Sequence, residues 1–222
     1  MESYLDRYVL AGGFMMLFLI PTSLVAAAWI AQGYIRLRRG RVAPTQILAA
    51  ARKLENSRAA ARFQEMLTEH PAPLARLAAH LLRLNVVGPD AKSEEEEDDF
   101  LRPALSDEID RLWQETTGLA TIYAVAPLMG LLGTVIGMIQ TFQEFTTNPE
   151  HSVESLSHGI NQALVTTMWG LFIAIPAFIF VQVFRRRIFR YEKDLLPHTA
   201  KELARIVWER KNGKPAAEPG EG

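Results

Sequence analysis

The chain has 222 residues, 24 Lys/Arg against 25 Asp/Glu, a formal net charge of −1 and no cysteine. The missing thiols exclude disulfides, thiolate catalysis and Cys-ligated zinc, and the charge balance gives no reason to expect nucleic acid as a partner. With 22% charged residues and a mean hydropathy of +0.03 the average looks soluble, yet three long stretches hold no Asp, Glu, Lys or Arg; segregation on that scale marks a bilayer rather than a globular surface.

In chain order, residues 1–8 are a short N-terminal segment with Glu2, Asp6 and Arg7. Residues 9–35 are the first predicted span, 119–143 the second and 160–184 the third. Each is about 25 residues, enough for a helix rising 1.5 Å per residue to cross roughly 30 Å of hydrocarbon. Lipid offers the backbone no hydrogen-bond partner, so these are read as helices rather than isolated strands. A cleaved signal peptide carries its positive charge ahead of the apolar run. Here Arg36, Arg38, Arg39 and Arg41 follow it, which predicts a retained anchor.

Residues 36–118 are predicted as a helical domain. TQILAAARKLEN and SRAAARFQEMLTEH carry apolar residues at three-to-four spacing, and the PAP triplet at 71–73 opens a third helix, PLARLAAHLLRLN. Residues 86–100 read as a turn and an acidic linker, Glu94 to Asp99, solvated between helices. Ser106 followed by Asp107 and Glu108 predicts the start of a long helix that continues into the second span. After the third span, RRRIFRYEKDLL and TAKELARIVWERK predict a helical tail over 185–222, bent at Pro197, stopped at Asn212 and Gly213, and disordered at its end.

Lys and Arg fix the expected orientation. The segment from Arg36 to Arg111 holds 13, the tail from Arg185 to Lys214 holds 10, and the loop 144–159 holds none. By the positive-inside rule the domain 36–118 and the tail are expected in the cytoplasm, and the N-terminus and the loop outside it.

The second span bears small residues at steps of three and four: Ala126, Gly130, Gly133, Thr134, Gly137 and Thr141. The third bears Ala163, Thr167, Gly170, Ala174 and Ala177. Small residues let helices approach closely, so Gly130, Gly133, Gly137, Gly170 and Ala174 are predicted packing positions. The threonines add hydroxyls that serve either packing or conduction. Pro127 and Pro176 each remove a backbone donor and predict kinks. Asn161, Gln162, Thr166 and Thr167 make the start of the third span polar, and amides in hydrocarbon are expected to face protein or water. His151 and His158 lack a third ligand nearby, so no metal site is predicted. No cofactor motif or nucleophile–base pair is visible, and an enzyme is not expected. None of the spans contains Asp, Glu, Lys, Arg or His; the chain alone has no proton carrier within the membrane.

The strings APLMGLLGTVIGMIQTF (126–142) and GINQALVTTMWGLFIAIPAFIF (159–180) closely resemble the second- and third-span signatures of the ExbB/TolQ proton-channel family. The resemblance covers about residues 105–190; the first span and residues 44–100 agree in layout only. It implies an all-α integral membrane protein with three transmembrane helices and long cytoplasmic helical extensions. It further implies a ring, a pentamer, around the helices of an ExbD/TolR-like single-span partner that carries an essential Asp. Proton entry would drive work passed to a TonB-like protein in the inner membrane. Thr134 and Thr167 match the family's pore-facing threonines, with Thr166 and Gln162 beside them on the expected proton path. Well-known members carry Glu where this chain has Gln162, which cannot titrate. The alternatives are a TolQ-like or other specialised motor subunit, or a membrane scaffold that conducts nothing.

Overall fold

The computed structural model describes residues 10–84, 94–147 and 152–212. The expected N-terminal segment, part of the loop 144–159 and the end of the tail lie outside them. All regular structure among the described residues is helical, in the order α1 (Met16–Arg36, after a 3-10 turn Leu10–Met15), α2 (Arg39–Val42), α3 (Thr45–Arg52), α4 (Ser57–Glu69), α5 (Pro73–Leu84), α6 (Glu94–Thr147), α7 (Ser152–Arg190) and α8 (Leu196–Lys211). The chain divides into two units, Met1–Gly33 with Thr116–Phe184, and Tyr34–Glu115 with Arg185–Gly222.

The first unit is apolar. It contains α1 with residues 116–147 of α6 and 152–184 of α7, the three described helices long and apolar enough to cross a membrane. Each buries one narrow face and presents large side chains on the other: Leu24, Leu128 and Phe172 are 67, 62 and 67% exposed. Contiguous apolar exposure of this kind is untenable in water and costs nothing in lipid. The expectation of an all-α membrane protein with three spans holds.

Two local readings change. Ser106 does not start a helix; α6 runs unbroken from Glu94, so residues 94–100 of the expected linker are helical. Acidic residues at the head of a helix suit the positive end of its dipole, and Asp98 is held by Lys201 at 2.6 Å. The bend expected at Pro197 is taken up one turn earlier, in a π turn Tyr191–Leu195 that leads into α8 with Pro197 in its first turn. Proline cannot donate to the carbonyl four residues back, and the widened turn accommodates that loss. Pro127 and Pro176 lie within continuous helices.

The second unit is a small helical bundle. α5 packs on α8, α4 packs on both, and α3 touches α8. Alternating Leu and Ala let these helices interdigitate: Leu74, Leu77, Leu81, Leu203, Ala204 and Val207 are all essentially inaccessible. Asn56 caps α4 by accepting from the Ala59 amide at 2.8 Å. Glu108, almost fully buried on α6, takes Arg76 of α5 in a two-pronged pair, with Arg76 Nε donating to Oε1 at 2.6 Å and a second guanidinium N–H donating to Oε2. Arg36 pairs with Glu115, and Arg52 with Glu202 at 2.5 Å.

Candidate functional site

The small-residue stripes of α6 and α7 face each other within one chain. A Cβ built on Gly170 would lie 2.7 Å from the Ala126 carbonyl oxygen and 3.1 Å from Gly130 Cα. One on Gly130 would lie 3.0 Å from the Thr166 carbonyl and 3.1 Å from Thr167 Cα. At Gly133 it would meet the Thr166 side chain at 2.6 Å, whereas at Gly137 the nearest atom is Ala163 Cβ at 3.3 Å. Thr141 Oγ1 sits directly on Gly159 at the far end of the contact. Ala126, Ala174 and Ala177 are buried along the same line. The backbones thus run in near contact over several turns, a gain in dispersion that only residues without bulk permit.

The hydroxyls divide by position. Thr166, 1% exposed, is packed under Gly133 and donates to Ala163 O at 2.8 Å. On this chain it belongs to the helix contact rather than to an open face, unlike the path-lining place expected for it. Thr167 is half-buried and donates across to Gly130 O at 3.3 Å. Thr134 is half-buried, donates back to Leu131 O at 2.6 Å, and borders an open, mostly apolar groove with Val135, Met138, Ile139, Phe142 and Gln143. Each of these hydroxyl protons is committed to a carbonyl, so what Thr134 and Thr167 offer outward is acceptor lone pairs.

Gln162 is half-buried against the N-terminal turn. Its amide lies where a Cβ on Gly13 would stand, and Gly13 has φ of 59°, a left-handed conformation that favours glycine. The polar start of the third span is therefore used in part to seat the first. At the other end of that unit Phe184 fills the space over Gly33, and Trp29 covers Gly118. These three glycine seats were not read from the sequence; the Gly12–Gly13 pair at the head of a span was the available signal for the first. No cluster of metal ligands occurs among the described residues. In the second unit Tyr191 donates to Leu37 O at 2.7 Å. Burial pushes its phenol above the usual tyrosine range, with Arg187, Arg190 and Arg39 pulling the other way.

Comparison with known proteins identifies the family. Residues 55–195 match the MotA/TolQ/ExbB proton channel family. An ExbB-like biopolymer transport protein of Synechocystis sp. is 29% identical over 79% of this chain and 82% of its own length. The biopolymer transport protein ExbB of Xanthomonas campestris pv. campestris is 30% identical over 73% of this chain and 68% of its own length. The Tol-Pal system protein TolQ of Pseudomonas aeruginosa is 37% identical over a shorter stretch, 39% of this chain and 38% of its own. The chain belongs to the MotA/TolQ/ExbB proton channel family and is an inner-membrane motor subunit of that class.

Proposed function

We propose that this chain is the ExbB-like, ring-forming subunit of a motor driven by the proton-motive force, with its N-terminus in the periplasm and its C-terminus in the cytoplasm. Five copies would surround the helices of an ExbD/TolR-like partner, and the assembly would energise transport or envelope work through a TonB-like protein. The observation that carries this reading is a pairing: no Asp, Glu, Lys, Arg or His lies within the three spans, while Thr134 and Thr167 hold half-buried hydroxyls whose lone pairs are uncommitted. A protonated carboxyl on the partner's helix needs an acceptor, and an intramembrane carboxylate is expensive unless paired or wet. The chain supplies the acceptors and the partner supplies the titrating group.

Thr134→Val and Thr167→Val keep the shape and remove the hydroxyl. Both variants should assemble normally and lose proton flux when reconstituted in liposomes with the partner, whereas Gln162→Leu should do less to flux. Conduction by this chain without any partner, or full activity of the double valine variant, would refute the mechanism.

A further inference from the structure

The second unit contains a cavity of about 620 Å³ that the proton path does not use. Tyr34, Arg38 and Arg39 line one side of it, and Arg187, Arg190 and Asp194 line the other. Four guanidiniums thus converge on one opening with a single carboxylate. None of the four has an ion-pair partner among the described residues, in contrast to Arg36, Arg52 and Arg76, which are all paired. Arg187 is instead spread over the Tyr34 ring, 5.0 Å from its centroid, which holds its planar head in place without neutralising it.

The convergence is built. The chain breaks helix between α1 and α2 at the fully buried Leu37, and the Tyr191 hydroxyl bonds the Leu37 carbonyl at 2.7 Å. That pin, from the turn after α7, brings the arginines that follow the first span beside those that follow the third. Arg38 and Arg187 each stand three residues beyond the end of a predicted span. At 1.5 Å per residue along a helix, Arg187 and Arg190 lie about 5 and 9 Å past the end of the span, beside the headgroup layer. Tyr34 is of the type that settles at that interface.

Surplus fixed positive charge at headgroup depth, on guanidiniums suited to bidentate phosphate contact, selects an anionic phosphate. We infer that this cavity binds the head of an anionic phospholipid, with Arg38, Arg39, Arg187 and Arg190 on the phosphodiester and Tyr34 along the first carbons of the acyl chains. Arg185 and Arg186 point elsewhere, into a separate opening with Trp113 and Phe189 that Arg190 also borders, Arg185 lying over Trp113 at 5.9 Å; that opening lacks Arg38, Arg39, Arg187 and Tyr34.

The test is lipid retention by the purified full-length protein, read by native mass spectrometry from detergent supplemented with phosphatidylglycerol or phosphatidylcholine. Arg38→Gln/Arg39→Gln removes two exposed arginines of the cavity; Arg185→Gln/Arg186→Gln removes two at similar depth outside it. Wild type and the second variant should retain phosphatidylglycerol over phosphatidylcholine, and the first should bind it about thirtyfold more weakly, as expected for two basic contacts at the membrane surface. Inorganic phosphate and glycerol phosphate should not compete at millimolar concentration. Equal losses in the two variants, equal retention of both lipids, or displacement by inorganic phosphate would each overturn the proposal. Circular dichroism and the oligomer mass in the same spectra establish that the variants are folded.

Discussion

The glycine contact between α6 and α7 makes a graded prediction. At Gly170 an added methyl falls about 0.7 Å inside ordinary contact with the Ala126 carbonyl, whereas at Gly137 it lies 3.3 Å from Ala163 Cβ, a milder overlap against a methyl group rather than a fixed carbonyl. A carbonyl in a helix cannot rotate away, so Gly170→Ala must push the two helices apart. A gap of roughly 0.5–1 Å forfeits a quarter to a half of each dispersion well, at about 0.1–0.2 kcal/mol per atom pair. With on the order of 30 pairs along the contact, the loss is about 1–3 kcal/mol, the range found for overpacked cores. The alanine returns up to about 1 kcal/mol in helix propensity, leaving a net loss of about 0–2 kcal/mol. Gly137→Ala keeps the propensity gain and meets the milder overlap, so it should cost clearly less than Gly170→Ala. Tryptophan fluorescence during thermal unfolding in detergent suits the comparison, because Trp169 adjoins Gly170. A shift of roughly 2–4 °C per kcal/mol is expected for a chain of this length. If Gly137→Ala proves as destabilising as Gly170→Ala, the stripe does not mate within the chain and the assignment is wrong.

Three further outcomes are expected. Arg76→Ala leaves the buried Glu108 carboxylate with only the longer contact to Arg111 at 3.8 Å and should lower stability by about 2–3 kcal/mol, the low end for such pairs because Arg76 is partly solvated and Arg111 remains; Arg76→Met/Glu108→Leu should recover most of it in chemical denaturation followed by circular dichroism. Gly13→Ala meets both a left-handed backbone and the Gln162 amide, so it should cost about 1–3 kcal/mol, and Gln162→Ala should restore part of that in a double-mutant cycle. Tyr191→Phe removes the pin on Leu37 and should cost about 0.5–1.5 kcal/mol; an unchanged melting temperature would mean that the break after α1 is held by packing alone.

The spans were legible because lipid demands long runs without charge, a pattern that survives any uncertainty about neighbours. The stripes were legible as positions but not as partners. Spacing shows that Gly130, Gly133 and Gly137 share a face; it does not say whether that face meets another copy or the same chain's α7. Thr166 and Thr167 illustrate the limit. They are adjacent in sequence and one helix step apart in direction, and both hydroxyls reach Gly130 O, yet Thr166 is buried beneath Gly133 while Thr167 is only half-buried. Helical register relative to the neighbour decides which is buried, and a single sequence does not carry it. The start of α6 was misjudged for a different reason. Like charges in succession disfavour a helix locally, and the bond from Lys201 to Asp98 that offsets this comes from more than a hundred residues away. Arg76 and Glu108 were equally invisible as a pair, since each alone is an ordinary charge on an amphipathic helix.

The packing bears on how such a subunit could transduce energy. Moving one elementary charge through the membrane field yields about 2.3 kcal/mol per 100 mV. Spans 9–35, 119–143 and 160–184 contain no charged side chain on which that field could act. The α6–α7 contact is also stiff: where a methyl does not fit at Gly170, one helix cannot slide past the other without separating. A chain that neither carries the charge nor deforms easily across its hairpin is suited to be the fixed element of a motor. On the proposed reading the moving charge belongs to the partner helix, and this chain sets its path through the placing of Thr134 and Thr167. The assignment separates two kinds of variant. Changes at Gly170 should reduce assembly and flux together, because they unseat the fixed element. Loss of the Thr134 and Thr167 hydroxyls should reduce flux with assembly intact. If valine at those positions lowers assembly and flux in the same proportion, the hydroxyls are packing groups and the path lies elsewhere.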